Sequence, residues 1–323
     1  MDTTAAPPSR LAHFPIAFFA MVMGLAGLTI AWQQVQRAWQ VDLHIGLVLL
    51  ALTTSVFLVL AASYLTKLVR HFPQVRDELR HPVKINFFPT VSISIVLLSI
   101  AAHPLAPEIS RPMWQIGAAL HLVFTLYIVN AWMHHSQATI QHLNPAWFIP
   151  AVGNVLVPIV GVPLGYYEIS WLYFSIGMLF WLILLTNVFY RIMFHHPLDR
   201  RLMPTLFILI APPAVGFIAY TRLSGELDAF ARVLYYAGLF LTLLLSTQTP
   251  RFLRLGFFLS SWAYSFPVAA IGIASLRMAE LSGRAEFLWI GSAIVALLSA
   301  LVAALLFHTL VGVYQRRFCV PDA

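Results

Sequence analysis

A chain of 323 residues with 60% hydrophobic and only 10% charged residues, and a mean hydropathy of +0.82, cannot be an ordinary soluble domain, where about a quarter of the residues carry charge. It reads as a polytopic membrane protein, so its formal charge of +7 is set first against the membrane rather than against a nucleic-acid partner. The single cysteine, Cys319, excludes an intrachain disulfide and a cysteine-based metal cluster.

After the polar start MDTTAAPPSR, the first apolar run is too long for a secretory signal and lacks a small-residue cleavage site. Residues 13–32 are therefore predicted to be a retained first helix, containing Pro15, Gly24 and Gly27. Helix 2, 43–69, has no proline and leads into a basic loop, RHFPQVRDELRHPVKIN. Helix 3, 87–102, carries Pro89 in its first turn, and helix 4, 114–134, carries none. Helix 5, 149–167, holds Pro150, Pro158 and Pro163 with Gly153, Gly161 and Gly165 between them, a pattern against a continuous hydrogen-bonded helix. Helix 6, 169–194, is an unbroken apolar run. Helix 7, 204–221, contains Pro212 and Pro213 followed by Gly216, and helix 8, 232–248, contains no proline. Helix 9, 256–279, has Pro267 near its middle with Phe266 just before it, and helix 10, 287–314, is uninterrupted. At about 1.5 Å per residue these lengths suit a bilayer. The whole chain, 1–323, is expected to be one transmembrane domain.

Ten spans put both termini on one side. That side carries thirteen Lys and Arg residues, against six opposite: Arg37, Arg111, Arg222, Arg232, Arg277 and Arg284. The imbalance predicts cytoplasmic termini.

Within these boundaries every odd-numbered helix contains proline and no even-numbered helix does. Pro15, Pro89, Pro158, Pro212 and Pro267 recur at intervals of roughly 55 to 75 residues, so the chain reads as five hairpins, each a broken helix followed by a straight one. Five hairpins close naturally into a ring. The broken helices would line a central space in which water and neighbours satisfy their backbone, with the straight ones facing lipid or other subunits. The competing reading is that membrane helices merely tolerate proline.

No Asp, Glu, Lys, Arg or His lies deep in the odd helices; His13, His103 and Arg277 sit near their ends. The lumen is thus expected to be electrically neutral, which suits a pore better than a carrier that must hold or relay charge. His121, mid-way along helix 4, is the one candidate relay, set against a packing role. A neutral lining leaves an apolar constriction as the barrier. Phe266, beside a proline break, is a candidate gate, with ordinary packing as the alternative.

The segments NPAWFIPAVGNVLVPIVG at 144–161, SSWAYSFPVAA at 260–270 and HFPIAFFAMVMGLAGLTIAW at 13–32 resemble the tellurite-resistance and dicarboxylate transporter family. That family includes the bacterial TehA proteins and the slow-type anion channels of plant guard cells, and the resemblance covers essentially the whole chain. It implies ten helices in five hairpins, an inner five-helix pore, a homotrimer with one pore per subunit, and a pore-blocking phenylalanine that falls on Phe266. The family also contains C4-dicarboxylate and sulfite transporters. The long cytoplasmic tails of the plant channels have no counterpart around the ten predicted spans, so kinase control of that type is not expected.

The pairs His134 with His135 and His195 with His196 lie at membrane borders and build no closed coordination sphere. No Walker-type loop is present, and Ser261 and Ser265 suggest backbone-bonding hydroxyls rather than nucleophiles. No metal, cofactor or enzymatic activity is expected. The sequence points to a channel for small monovalent anions in a bacterial inner membrane, occluded by Phe266, with a secondary carrier for dicarboxylate, sulfite or tellurite-type oxyanions as the alternative.

Overall fold

The computed structural model describes residues 9–41, 43–134 and 139–320. Every regular element among them is a helix. The described residues begin with 3₁₀ turns at Arg10–His13 and Ile16–Phe18, then run through α1 (Phe19–Trp39), α2 (Ile45–Arg70) and a short amphipathic α3 (Phe72–Arg80). A 3₁₀ turn at Lys84–Phe87 leads into α4 (Thr90–Ala102), and α5 (Pro107–His134) returns. The third inner segment alternates short pieces: 3₁₀ at Pro145–Trp147, α6 (Phe148–Val152), 3₁₀ at Gly153–Leu156 and α7 (Pro158–Gly161), followed by α8 (Tyr167–Phe194). The fourth begins with 3₁₀ at Met203–Ile210 and continues as α9 (Ala211–Leu223), with α10 (Ala229–Ser246) and the short α11 (Thr249–Leu253) after it. The last pair is 3₁₀ at Leu259–Tyr264, α12 (Ser265–Ser282) and α13 (Ala285–Tyr314).

The five proline-bearing segments form a closed inner ring at two levels. Their 3₁₀ lead-ins touch in the order Ile16–Phe18, Lys84–Phe87, Pro145–Trp147, Met203–Ile210, Leu259–Tyr264 and back to Ile16–Phe18. Deeper in, α1 packs on α4 and α12, α12 on α9, and the short third segment bridges α9 and α4. The straight helices α2, α5, α8, α10 and α13 stand outside, each against neighbouring members of that ring. Burial separates the layers. Between 67 and 83% of the apolar stretch is buried in the four long inner spans, against 17 to 33% in the five outer ones. Exposed Leu58, Val123, Leu179, Phe240 and Leu297 project from those outer helices, as surfaces facing lipid or a second subunit must.

Buried hydrogen bonds fasten the layers together. Thr29 pairs with Thr53 at 3.1 Å, Tyr173 donates to the Ala118 carbonyl at 2.8 Å, Tyr235 meets Ser275 at 3.1 Å and Trp262 donates to Thr309 at 3.0 Å. In a membrane each contributes on the order of 0.6 kcal/mol. On the face that carries both described termini, buried Lys67 forms a 2.9 Å ion pair with Glu78, donates to the Phe14 carbonyl at 2.8 Å, and shares Glu78 with the Tyr64 hydroxyl at 2.7 Å. This knot ties α3 to α2 and to the start of the chain.

Three expectations change. Among the described residues nine helices are long and apolar enough to cross a membrane, and the predicted helix 5 is instead the short apolar stretch Pro145–Gly161 and its neighbours. The proline alternation has one exception, because α5 starts at Pro107 and contains Pro112; Pro112 lies near the exposed end of the helix, where water can meet a freed carbonyl. The breaks also differ from bends in continuous helices. Pro89 precedes α4, Pro158 opens α7, Pro212 and Pro213 lie in the first turn of α9, and Pro267 lies in the first turn of α12. Proline is tolerated there because first-turn N–H groups have no intrahelical acceptor. Pro15 caps the Ile16–Phe18 turn, Pro150 lies inside α6, and Pro163 follows α7.

Candidate functional site

The inner ring encloses two cavities that meet at one level. The first lies toward the 3₁₀ lead-ins, occupies about 70 Å³, and is walled by apolar groups such as Met23, Ile149, Ile208 and Trp262. The second, about 280 Å³, opens toward the opposite ends of the inner helices. Phe266, Leu156 and Val215 line both. These three residues mark the level at which the cavities meet.

The sequence fixes Phe266 by what stands beside it. Ser265 donates to the Trp262 carbonyl at 2.6 Å, and Pro267 follows in the same first turn. Across the contact, α1 presents Gly24 and Gly27. A Cβ on Gly24 would collide with the Ser265 hydroxyl and lie 2.8 Å from its Cβ; one on Gly27 would lie 2.8 Å from Ala269 and 3.3 Å from the Phe266 ring. Gly24 thus lies inside the uninterrupted α1 and sets how closely α12 approaches. Leu156 and Val215 carried no signal in the sequence beyond ordinary hydrophobicity.

Several backbone carbonyls near the breaks are met by donors from the surrounding helices or the next turn. The Pro89 carbonyl accepts from Ser92 at 2.9 Å, that of Pro150 from Thr125 at 2.7 Å, and that of Val157 from the Trp114 indole at 2.8 Å. The Ile85 carbonyl is met by the Phe88 N–H at 3.2 Å in 3₁₀ fashion. Bonds of this kind remove the rows of free carbonyls that would favour a cation. His121 belongs to the same supporting layer. It is buried, bonds Ser92 through Nδ1 at 2.9 Å, and sits behind Gly153 on the side away from both cavities.

The larger cavity is not neutral. Arg37, Arg222 and Arg277 line it, together with His103 and Gln34. Sequence boundaries had assigned Arg37 and Arg222 to loops, but α1 continues to Trp39 and α9 to Leu223, so both arginines stand on pore-lining helices. Arg277 forms a 2.7 Å ion pair with exposed Glu280. Arg222 lies within electrostatic range of both Arg37 and Arg277. Its buried Nε has no hydrogen-bond partner among the described residues, and neither does Nδ1 of His103. Burial, and then the nearby Arg222 and Arg111, hold the His103 pKa below the ordinary histidine value.

Of the break residues, Gly153, Pro212 and Pro267 line the smaller cavity and Pro163 the larger, whereas the described histidines of the two pairs and Ser261 line neither. His134 bonds the Asn130 carbonyl at 2.9 Å, the His195 ring packs on Tyr190, and His135 lies outside the described residues. Ser261 accepts from the Phe258 N–H at 3.2 Å.

An inner ring of interrupted helices around two adjoining cavities, one of them lined by arginines, is the frame of a helical membrane protein of the transport class. The chain belongs to the SLAC1 family of voltage-dependent anion channels, whose family model matches residues 13–310. It is similar to the S-type anion channel SLAH3 of Arabidopsis thaliana, 27% identical over 319 residues, covering 97% of this chain and 50% of that one. The guard cell S-type anion channel SLAC1 of the same plant is 24% identical over 315 residues, 93% of this chain and 57% of its own length. A tellurite resistance protein TehA homolog of Haemophilus influenzae is 26% identical over 263 residues, 80% of this chain and 79% of its own. The chain spans about half the length of the plant channels SLAH3, SLAH2 and SLAC1.

Proposed function

We propose that this protein is a channel for small monovalent anions such as chloride or nitrate, held shut by Phe266 with Leu156 and Val215. The observation that carries the reading is the junction itself, where one apolar septum separates a basic vestibule from an uncharged chamber. The vestibule supplies the sign preference. Three guanidiniums less the Glu280 carboxylate leave an excess of positive charge, and an anion about 6 Å from one guanidinium gains roughly 3 kcal/mol at an effective dielectric of about 20. The septum supplies the barrier, because an ion that sheds water beside a phenyl ring finds no polar substitute there.

The reading extends to assembly and orientation. The apolar outer helices suit a homotrimer with one passage per subunit, embedded in the plasma membrane. The distribution of Lys and Arg favours cytoplasmic termini, which puts the basic vestibule on the external face. Purified protein in liposomes tests the channel against a secondary carrier. Chloride and nitrate flux is expected to follow the anion gradient alone, with no proton requirement and no saturation at low millimolar concentration. Flux that needs a proton gradient, or that runs only as exchange, refutes the channel.

A further inference from the structure

The vestibule has a property that passage of a monovalent anion does not require. Three arginines and an imidazole converge on one cavity of about 280 Å³, and two of their nitrogens, Arg222 Nε and His103 Nδ1, are buried without a hydrogen-bond partner among the described residues. Guanidiniums only donate hydrogen bonds, so a cavity wall carrying three of them favours a ligand bearing several acceptor oxygens. Gln34 adds an amide to the same wall. Among the described residues one carboxylate, Glu280, pairs with Arg277 and also acts on Arg222 at longer range, and the cavity lining carries no other carboxylate.

We infer that this vestibule is a binding site for divalent oxyanions, which lodge against Arg37, Arg222 and Arg277 and block the pore instead of crossing it. This rests on the channel reading above. The physics separating block from passage is the charge dependence of the two steps. Attraction to a fixed set of guanidiniums grows in proportion to the ligand's charge, whereas the cost of leaving water for an apolar constriction grows roughly with its square. Doubling the charge therefore deepens the vestibule well about twofold and raises the septum barrier about fourfold. Phe266, Leu156 and Val215 line that septum, and the chamber beyond offers almost no polar surface to repay the loss.

Sulfate is the probe, with sulfamate, of nearly the same shape but a single charge, as its control. Chloride currents through Phe266→Ala protein in planar bilayers are recorded with each anion added to the face opposite the termini. Sulfate is expected to block from that face only, with sulfamate at least tenfold weaker. Arg222→Gln and the exposed-site variant Arg37→Gln should each weaken sulfate block at least tenfold, while Arg232→Gln, exposed and outside the cavity, should leave it unchanged. In parallel, sulfate should raise the unfolding temperature of the wild-type protein in detergent, and Arg222→Gln or Arg37→Gln should abolish that rise. Sulfate that blocks equally from both faces, or is no stronger than sulfamate, overturns the proposal, as does sulfate flux through the wild-type protein equal to its chloride flux. If Phe266→Ala passes no chloride but sulfate still protects the wild type through Arg37 and Arg222, the site stands and the channel reading is what fails.

Discussion

Truncating Phe266 to alanine removes the one ring shared by the vestibule and the apolar chamber. Because that ring is only partly buried, its loss should cost less stability than the roughly 3 to 5 kcal/mol of a fully packed phenylalanine. The barrier should respond far more. Taking about 2.5 to 3.5 kcal/mol, the cost of a charge in mid-membrane, as the scale of what the septum imposes, its removal corresponds to a roughly 70- to 400-fold rise in anion flux. A graded series sharpens the test, since Leu156 and Val215 remain. Phe266→Leu, Phe266→Val and Phe266→Ala should give chloride conductances that increase as the side chain shrinks, measured in bilayers alongside the unfolding temperature of each variant. Loss of thermal stability with unchanged conductance across the series would refute the septum and leave Phe266 as packing.

Three other outcomes follow from the structure. His103 faces Arg222 and Arg111 and shares its cavity with Arg37 and Arg277, the latter paired to Glu280. Its lowered pKa keeps it neutral at pH 7, and acidification below the ordinary histidine value of about 6.5 adds a positive charge to the vestibule. Chloride conductance of the Phe266→Ala channel should therefore rise on external acidification and lose that dependence in His103→Gln; a profile in the parent identical to that of His103→Gln refutes it. The stability sign is opposite. The folded state binds fewer protons than the unfolded one between the ordinary histidine value and the lowered one, so acidification lowers stability. Glu78→Ala strands buried Lys67 and should cost about 3 to 5 kcal/mol, read by denaturation, with a Lys67→Met and Glu78→Leu double variant recovering most of it. Gly24→Ala forces α1 from Ser265 and should cost about 1 to 3 kcal/mol by overpacking, with detectable chloride leak if the septum loosens.

Much of the architecture was legible because lipid allows so few backbone solutions. Proline spacing and hydropathy together identified the inner and outer layers, and Pro89, Pro158, Pro212 and Pro267 all mark places where an α-helix begins inside the membrane. What sequence could not supply was the 3₁₀ geometry before each start, since nothing in MPTLFILI distinguishes i+3 from i+4 bonding. The third inner segment was legible as broken from its three prolines, but its division into alternating 3₁₀ and α pieces was not, for the same reason. The site was half legible. Phe266 stood out beside its proline, whereas Leu156 and Val215 look like any other apolar residue until the helices are closed into a ring. Arg37 and Arg222 were lost to helix boundaries drawn where hydropathy falls. The helices continue past that point because their inner faces meet a cavity wide enough for water rather than lipid.

The closed belt of 3₁₀ lead-ins has a consequence in length. A 3₁₀ helix rises about 2.0 Å per residue against about 1.5 Å for an α-helix. The eight residues Met203–Ile210 therefore reach about 4 Å farther than the same residues would as an α-helix. The belt thus stores extension in the backbone itself. Relaxing Met203–Ile210 to α geometry would draw its end in by about 4 Å without unfolding any helix, and the contacts around the belt would pass that shortening to the neighbouring segments.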